Sequence, residues 1–110
     1  MAVVTPTKVE GPGSVVVYTW VLAASDTGAP VIVPDKADKT VQLFGTFGAA
    51  VTMQGSNETG TPTTWATLTD PQGNAIAPTA AALEAIAENP YQIRPSAGAV
   101  TSVTVALCCH

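Results

Sequence analysis

The sequence predicts an all-β domain: a small antiparallel β-sandwich, jelly-roll-like, with one short α-helix. Three observations carry that reading. Short runs rich in β-branched and aromatic residues recur along the 110 residues. Clusters of Gly, Pro, Asn and Asp separate them, as in sandwiches and barrels. Only one stretch has the composition of a helix.

Residues 1–14 read as an extended N-terminal arm, because Pro6, Gly11, Pro12 and Gly13 interrupt any period. Its Val3 and Val4 are suited to pair with a sheet edge or with a neighbouring subunit. Residues 15–110 then form a single domain. The run Val15 to Leu22 (VVVYTWVL) is the strongest strand signal. Val15, Val17 and Val21 lie on one side of it, and Val16, Tyr18, Trp20 and Leu22 on the other. A strand apolar on both faces is covered on both, and in so small a sandwich the second cover is expected to be another subunit. Val16, Tyr18, Trp20 and Leu22 are therefore the expected subunit contact.

Gly28, Pro30, Pro34 and Asp35 make residues 23–38 a loop, with Val31 to Val33 as a short edge strand. Thr40 to Phe47 alternates as a second strand, in which Gly45 marks a bulge or a close backbone approach. Val51 to Gln54 is a third. The turn-forming segment Gly55 to Thr64 (GSNETGTPTT) leads to a fourth, Trp65 to Thr69, so the pair reads as a hairpin with a long tip. Trp65 is expected in the core behind that hairpin, since large aromatics dominate core packing. Asp70-Pro71-Gln72-Gly73 matches a type I turn position by position.

Ala80 to Glu88 (AAALEAIAE) is the predicted helix, capped by Thr79 and stopped by Pro90, with Leu83, Ile86 and Ala87 as its apolar face. Two strands follow. Tyr91 and Ile93 alternate with Gln92 and Arg94 up to a turn at Pro95 and Gly98. Val103, Val105 and Leu107 alternate with Ser102, Thr104 and Ala106.

Composition narrows the function. Apolar residues make up 46% and charged residues only 11%, against a usual charged share of about 25%. So uncharged a surface suits a protein packed against neighbours. The net charge is −4, and the four cations, Lys8, Lys36, Lys39 and Arg94, form no basic run. Nucleic acid and anionic membranes, which are held by clustered Lys and Arg, are not expected partners. Residues 1–14 lack the basic start and apolar core of a secretory signal, so synthesis and retention in the cytosol are expected.

Chemistry is sparse. The one histidine, His110, is the last residue, where a catalytic base is hard to hold. No phosphate loop or dinucleotide fingerprint occurs. Asp35 and Asp38 are too few oxygens for calcium, which takes six to eight or so. Cys108 and Cys109 are adjacent, and neighbouring Cα atoms are too close for an ordinary disulfide. Neither an enzymatic activity nor a metal or cofactor is expected.

The run VTMQGSNETGTPTTWATLTDPQGNAI, then AENPYQIRPSAG and the closing TSVTVAL, resembles the small head proteins of tailed bacteriophages known as decoration or cement proteins. The resemblance covers roughly residues 40–107. The tip between Gly55 and Trp65 is longer here than is usual in such proteins. The resemblance implies a β-sandwich or jelly roll, commonly a homotrimer, made in the host cytoplasm and seated on the capsid exterior. There it would bridge neighbouring major capsid proteins and stabilise the shell. The hairpin from Gly55 to Trp65 is also similar to parts of discoidin-type carbohydrate-binding domains and of phage tail or fibre proteins. A carbohydrate- or protein-binding module is accordingly the alternative.

Overall fold

The computed structural model describes residues 2–110. In chain order the strands are β1 (Val3–Val4), β2 (Thr7–Glu10), β3 (Val16–Leu22), β4 (Thr27–Gly28), β5 (Val31–Ile32) and β6 (Lys39–Thr46). They continue as β7 (Val51–Ser56), β8 (Ala66–Thr67), β9 (Ala82–Ala85), β10 (Gln92–Ala97) and β11 (Ser102–Cys109). A five-stranded sheet has the order β2-β3-β11-β6-β9. A six-stranded sheet has the order β1-β4-β10-β7-β8, with β5 beside β4 along β10. Successive strands from β3 onward mostly alternate between the sheets, as in a double-sheet jelly roll.

The two inner faces meet in one core. Trp20 and Leu22 of β3, Val41 and Leu43 of β6, and Val103, Val105 and Leu107 of β11 face Val51, Met53 and Ile93 of the other sheet. All ten are 0% exposed. The core is apolar and internal to one chain.

The helix expected at Ala80–Glu88 is absent: Ala82–Ala85 is the edge strand β9, antiparallel to β6. A helix of nine residues gains little on its own, whereas β6 offers a ready row of hydrogen-bonding groups. The pairing continues past β9, where the Ile86 amide donates to the Lys39 carbonyl at 3.0 Å. Ile86 enters the core and Leu83 points outward, 67% exposed, so the expected Leu83–Ile86–Ala87 face does not exist.

The N-terminal segment is extended and pairs with sheet edges of its own chain. β1 runs parallel to β4 and β2 antiparallel to β3, so the segment edges both sheets. The buried Asp26 fastens it by accepting from the Ala2 amide at 3.0 Å and the Ala23 amide at 2.9 Å.

Local signals held at the turns. The Gly73 amide donates to the Asp70 carbonyl at 2.9 Å, and the Asp70 carboxylate accepts from Gln72 and Asn74. Gly45 of β6, at φ +134°, lies so close to β11 that a Cβ there would fall 2.4 Å from the Ser102 carbonyl oxygen. Pro95 does not end its strand. Ala97 donates to Asp26 on the β4 side, so the absent N–H of Pro95, two residues earlier, faces the break between β4 and β5, where no ladder partner is lost.

Candidate functional site

The outer face of the five-stranded sheet carries no charged residue of its strands. Cross-strand pairing aligns Val9, Val17, Cys108, Thr40 and Ala85 in one row, and Thr7, Thr19, Ala106, Gln42 and Leu83 in the next. Val21, Thr104 and Phe44 continue it. Every charged residue of these strands (Lys8, Glu10, Lys39 and Glu84) falls on the opposite parity, paired with Tyr18, Val16, Cys109 and Val41. Val9 and Val21 are each 58% exposed and Phe44 43%. Five strands at about 4.8 Å spacing and six residues at about 3.3 Å give a footprint of roughly 24 by 20 Å.

The residues expected at a subunit contact divide differently from that expectation. Trp20 and Leu22 are wholly enclosed by their own chain. Tyr18 is half-buried against the same core, and Val16 shares its side of the strand. The outward side of β3 is Val17, Thr19 and Val21. Period-two alternation separates two apolar sides of a strand but does not say which one faces the core. Val4 packs partly on the core, while Val3 is exposed at the β1 edge.

The outer face of the six-stranded sheet is polar along β10 and β7, while toward its other edge Val3 of β1 and Ile32 of β5 are exposed apolar residues. Arg94 of β10 pairs with Gln54 of β7, which pairs with Thr67 of β8. Trp65, expected in the core, lies half-buried on this face instead, with the Arg94 Cζ 4.2 Å from its ring centroid. Arg94 Nε donates to Gln54 Oε1 at 2.9 Å. Burial lowers the guanidinium's pKa from its ordinary value.

The tip between Ser56 and Trp65 is ordered around Glu58. Its carboxylate accepts from the Thr64 amide at 2.8 Å, the Thr63 amide at 3.0 Å and the Thr63 hydroxyl at 3.1 Å. These bonds, the Thr64 amide foremost, hold the carboxyl below the usual range. The buried Gln92 amide donates to the carbonyls of Glu58 and Gly60, both at 2.8 Å, and folds the tip onto the sheet. Beside it an open groove of about 810 Å³ runs between the tip, Leu68 and Pro90. The acid group at its far side, Glu88, is already engaged by the amide and hydroxyl of Thr69.

The cysteines point to opposite sides. Cys108 lies on the uncharged outer face, and Cys109 is buried; both are free thiols. Burial pushes the Cys109 thiol up to about 11. The C-terminus is held, because Asp38 and His110 exchange amide-to-carbonyl bonds of 3.0 and 2.9 Å. Nearby, the buried Lys39 ammonium donates to the Lys36 carbonyl and to Asn89 Oδ1. Among the described residues no three His, Cys, Asp or Glu side chains converge to hold a metal ion.

Two packed sheets in this order, with a sealed apolar interior, define a jelly roll, a frame that viral capsid domains, lectins and cupins share. Among solved structures the chain is similar to a cupin domain from Bordetella pertussis Tohama I. The alignment covers 99% of this chain and 95% of that one, with a TM-score of 0.57 and 12% identity. At that identity the likeness shows the fold. No family model and no curated protein matches the sequence.

Proposed function

We propose that this chain is a non-catalytic structural protein of a tailed-bacteriophage head, a decoration protein that sits on the capsid exterior and bridges major capsid proteins. The observation that carries the reading is the uncharged outer face of the five-stranded sheet, joined to the motif resemblance over residues 40–107. A chain of net charge −4 repels its own copies wherever carboxylates meet. Across Val9, Val17, Val21, Phe44 and Leu83 it meets a copy without that cost. Its footprint of roughly 480 Å² in projection is more than half of the about 800 Å² of accessible surface per partner that a stable contact buries. We assign this face to the contact between copies, in a homotrimer as the resemblance implies. Neither nucleic acid nor membrane is a partner in this reading, and no cofactor takes part.

Mass spectrometry of purified particles, with an imaged reconstruction of the head, tests the assignment. The expected result is this jelly roll in the outer density, at sites between capsid proteins. Its absence from the particles overturns the reading. Sedimentation of the isolated protein tests the contact between copies, and a stable monomer at tens of micromolar counts against it.

A carbohydrate-binding module is the second reading, favoured by the half-buried Trp65 at the ordered tip. Sugar sites are concave, and Trp65 does not line the groove beside the tip; its ring is covered by Arg94 instead. Glycan-array binding without capsid affinity would favour this alternative.

A further inference from the structure

We propose that Arg94, clamped between Trp65 and Gln54 on the outer face of the six-stranded sheet, is a docking point for an Asp or Glu carboxylate on the surface of a partner protein. The proposal rests on the capsid-attachment reading for the identity of that partner, and adds the chemistry by which it is held.

Three constraints fix the guanidinium. Its face lies on the Trp65 ring, its Nε is committed to Gln54, and its strand is bonded to β7 across the Arg94–Gln54 pair. The two terminal nitrogens remain. Among the described residues they have no carboxylate within ion-pair distance, the one ion pair being Lys8–Glu10 at 3.7 Å. Both nitrogens are open to solvent and have gained no counter-charge, and a carboxylate can take both with two parallel N–H···O bonds. Preorganisation by the ring and the amide lowers the ordering cost of that contact. Trp and Arg are also the residues most enriched among those that dominate binding energy.

The surroundings select the class of ligand. Phosphate polymers need several cations, and Arg94 is the only Lys or Arg in β4, β5, β7, β8 or β10. Small molecules need a concavity, and neither Arg94 nor Trp65 lines the groove beside the tip; the neighbours of Arg94 on the sheet are Thr52, Gln54, Ser96 and Thr67, all neutral hydrogen-bonding groups. Such a surface fits another protein surface that presents one acidic side chain.

Two measurements test this. The first uses the isolated, isotope-labelled protein, following the Arg94 Nε–H and Trp65 indole N–H resonances during titration with sodium acetate, sodium phosphate or sodium chloride at matched ionic strength. Acetate should shift both resonances beyond the chloride effect, and Trp65→Ala should abolish the shift at Arg94. Equal shifts with acetate and chloride, or a larger response to phosphate than to acetate, would overturn the assignment. The second compares binding to capsid shells stripped of this protein. Arg94→Gln should weaken binding at least about tenfold and flatten its salt dependence, with Arg94→Lys between it and the unaltered protein. Undiminished binding by Arg94→Gln overturns the proposal. Failure of the unaltered protein to bind shells would instead strike the capsid reading, and the acetate titration would still decide the chemistry of Arg94.

Discussion

Trp20 closes over Gly28 so tightly that a Cβ on the glycine would lie 2.6 Å from the indole Nε1, and 2.5 Å from Pro95 Cδ. The indole N–H is satisfied next door, donating to the Ala29 carbonyl at 3.1 Å. β3 is thus pinned to the opposite sheet by a large aromatic that fits only against a residue without a side chain. Gly28→Ala should therefore cost about 1–3 kcal/mol through overpacking, and Trp20→Ala about 3–5 kcal/mol through the cavity left behind. Urea denaturation measures both. A loss below about 0.5 kcal/mol for Gly28→Ala would mean that the contact relaxes freely.

One residue along the strand, the outcome should be opposite. Val21 faces outward, so Val21→Asp should leave the fold within about 0.5 kcal/mol of its original stability, as surface changes do. The same change puts a carboxylate into the one face free of charge and should shift sedimentation toward the monomer. Unaltered self-association in Val21→Asp, and again in Phe44→Asp, would remove this face from the subunit contact.

At the tip, Glu58 organises Thr63 and Thr64 by accepting their amides. Because its folded-state pKa is lowered, its contribution is present above the ordinary carboxylate range and is lost as pH falls through the folded value. The Thr63 and Thr64 amide resonances should titrate in that acidic window, and in Glu58→Gln the pH dependence should vanish. Both amides should also lose protection from hydrogen exchange. Retained protection in Glu58→Gln would show that the Gln92 bonds alone hold the tip.

The two thiols should differ in reactivity. Cys109 is 0% exposed and its thiol is raised from 9.0 to about 11, so at pH 8 a thiol reagent should modify Cys108 alone, and both only after unfolding. The raised value also sets a sign. The folded protein keeps the Cys109 proton longer than the unfolded chain does, a contribution that is full below pH 9 and lost as pH rises toward about 11. Cys109→Ser should remove that part of the alkaline loss of stability. Two equivalents of label on the folded protein at pH 8 would contradict the burial.

Much of the architecture was legible because strand signals are local. β3, β6, β7 and β11 stand where β-branched residues cluster, the Asp70–Gly73 turn forms as its residues dictate, and Gly45 makes a close backbone approach. The helix at 80–88 was misjudged because propensity counts what a segment does alone, and β6 had an unfilled edge. Trp65 was misplaced for a related reason. Size predicts burial, but a ring can also cover a sheet from outside when a guanidinium lies across it. The Arg94–Gln54 pair joins residues forty positions apart, and no local pattern announces it.

By itself, then, the sequence determined an all-β domain, most of its strands and turns, and a scarcity of charge, since all of these follow from neighbouring side chains and composition. Only the tertiary structure decided that Trp20 and Leu22 point inward and Val17 and Val21 outward, that residues 82–85 close a sheet, and that the few charges leave one whole face bare. The physical reason is that a strand apolar on both sides is symmetric in its own pattern. What breaks the symmetry is the shape of the opposite sheet, where Gly28 leaves room for an indole.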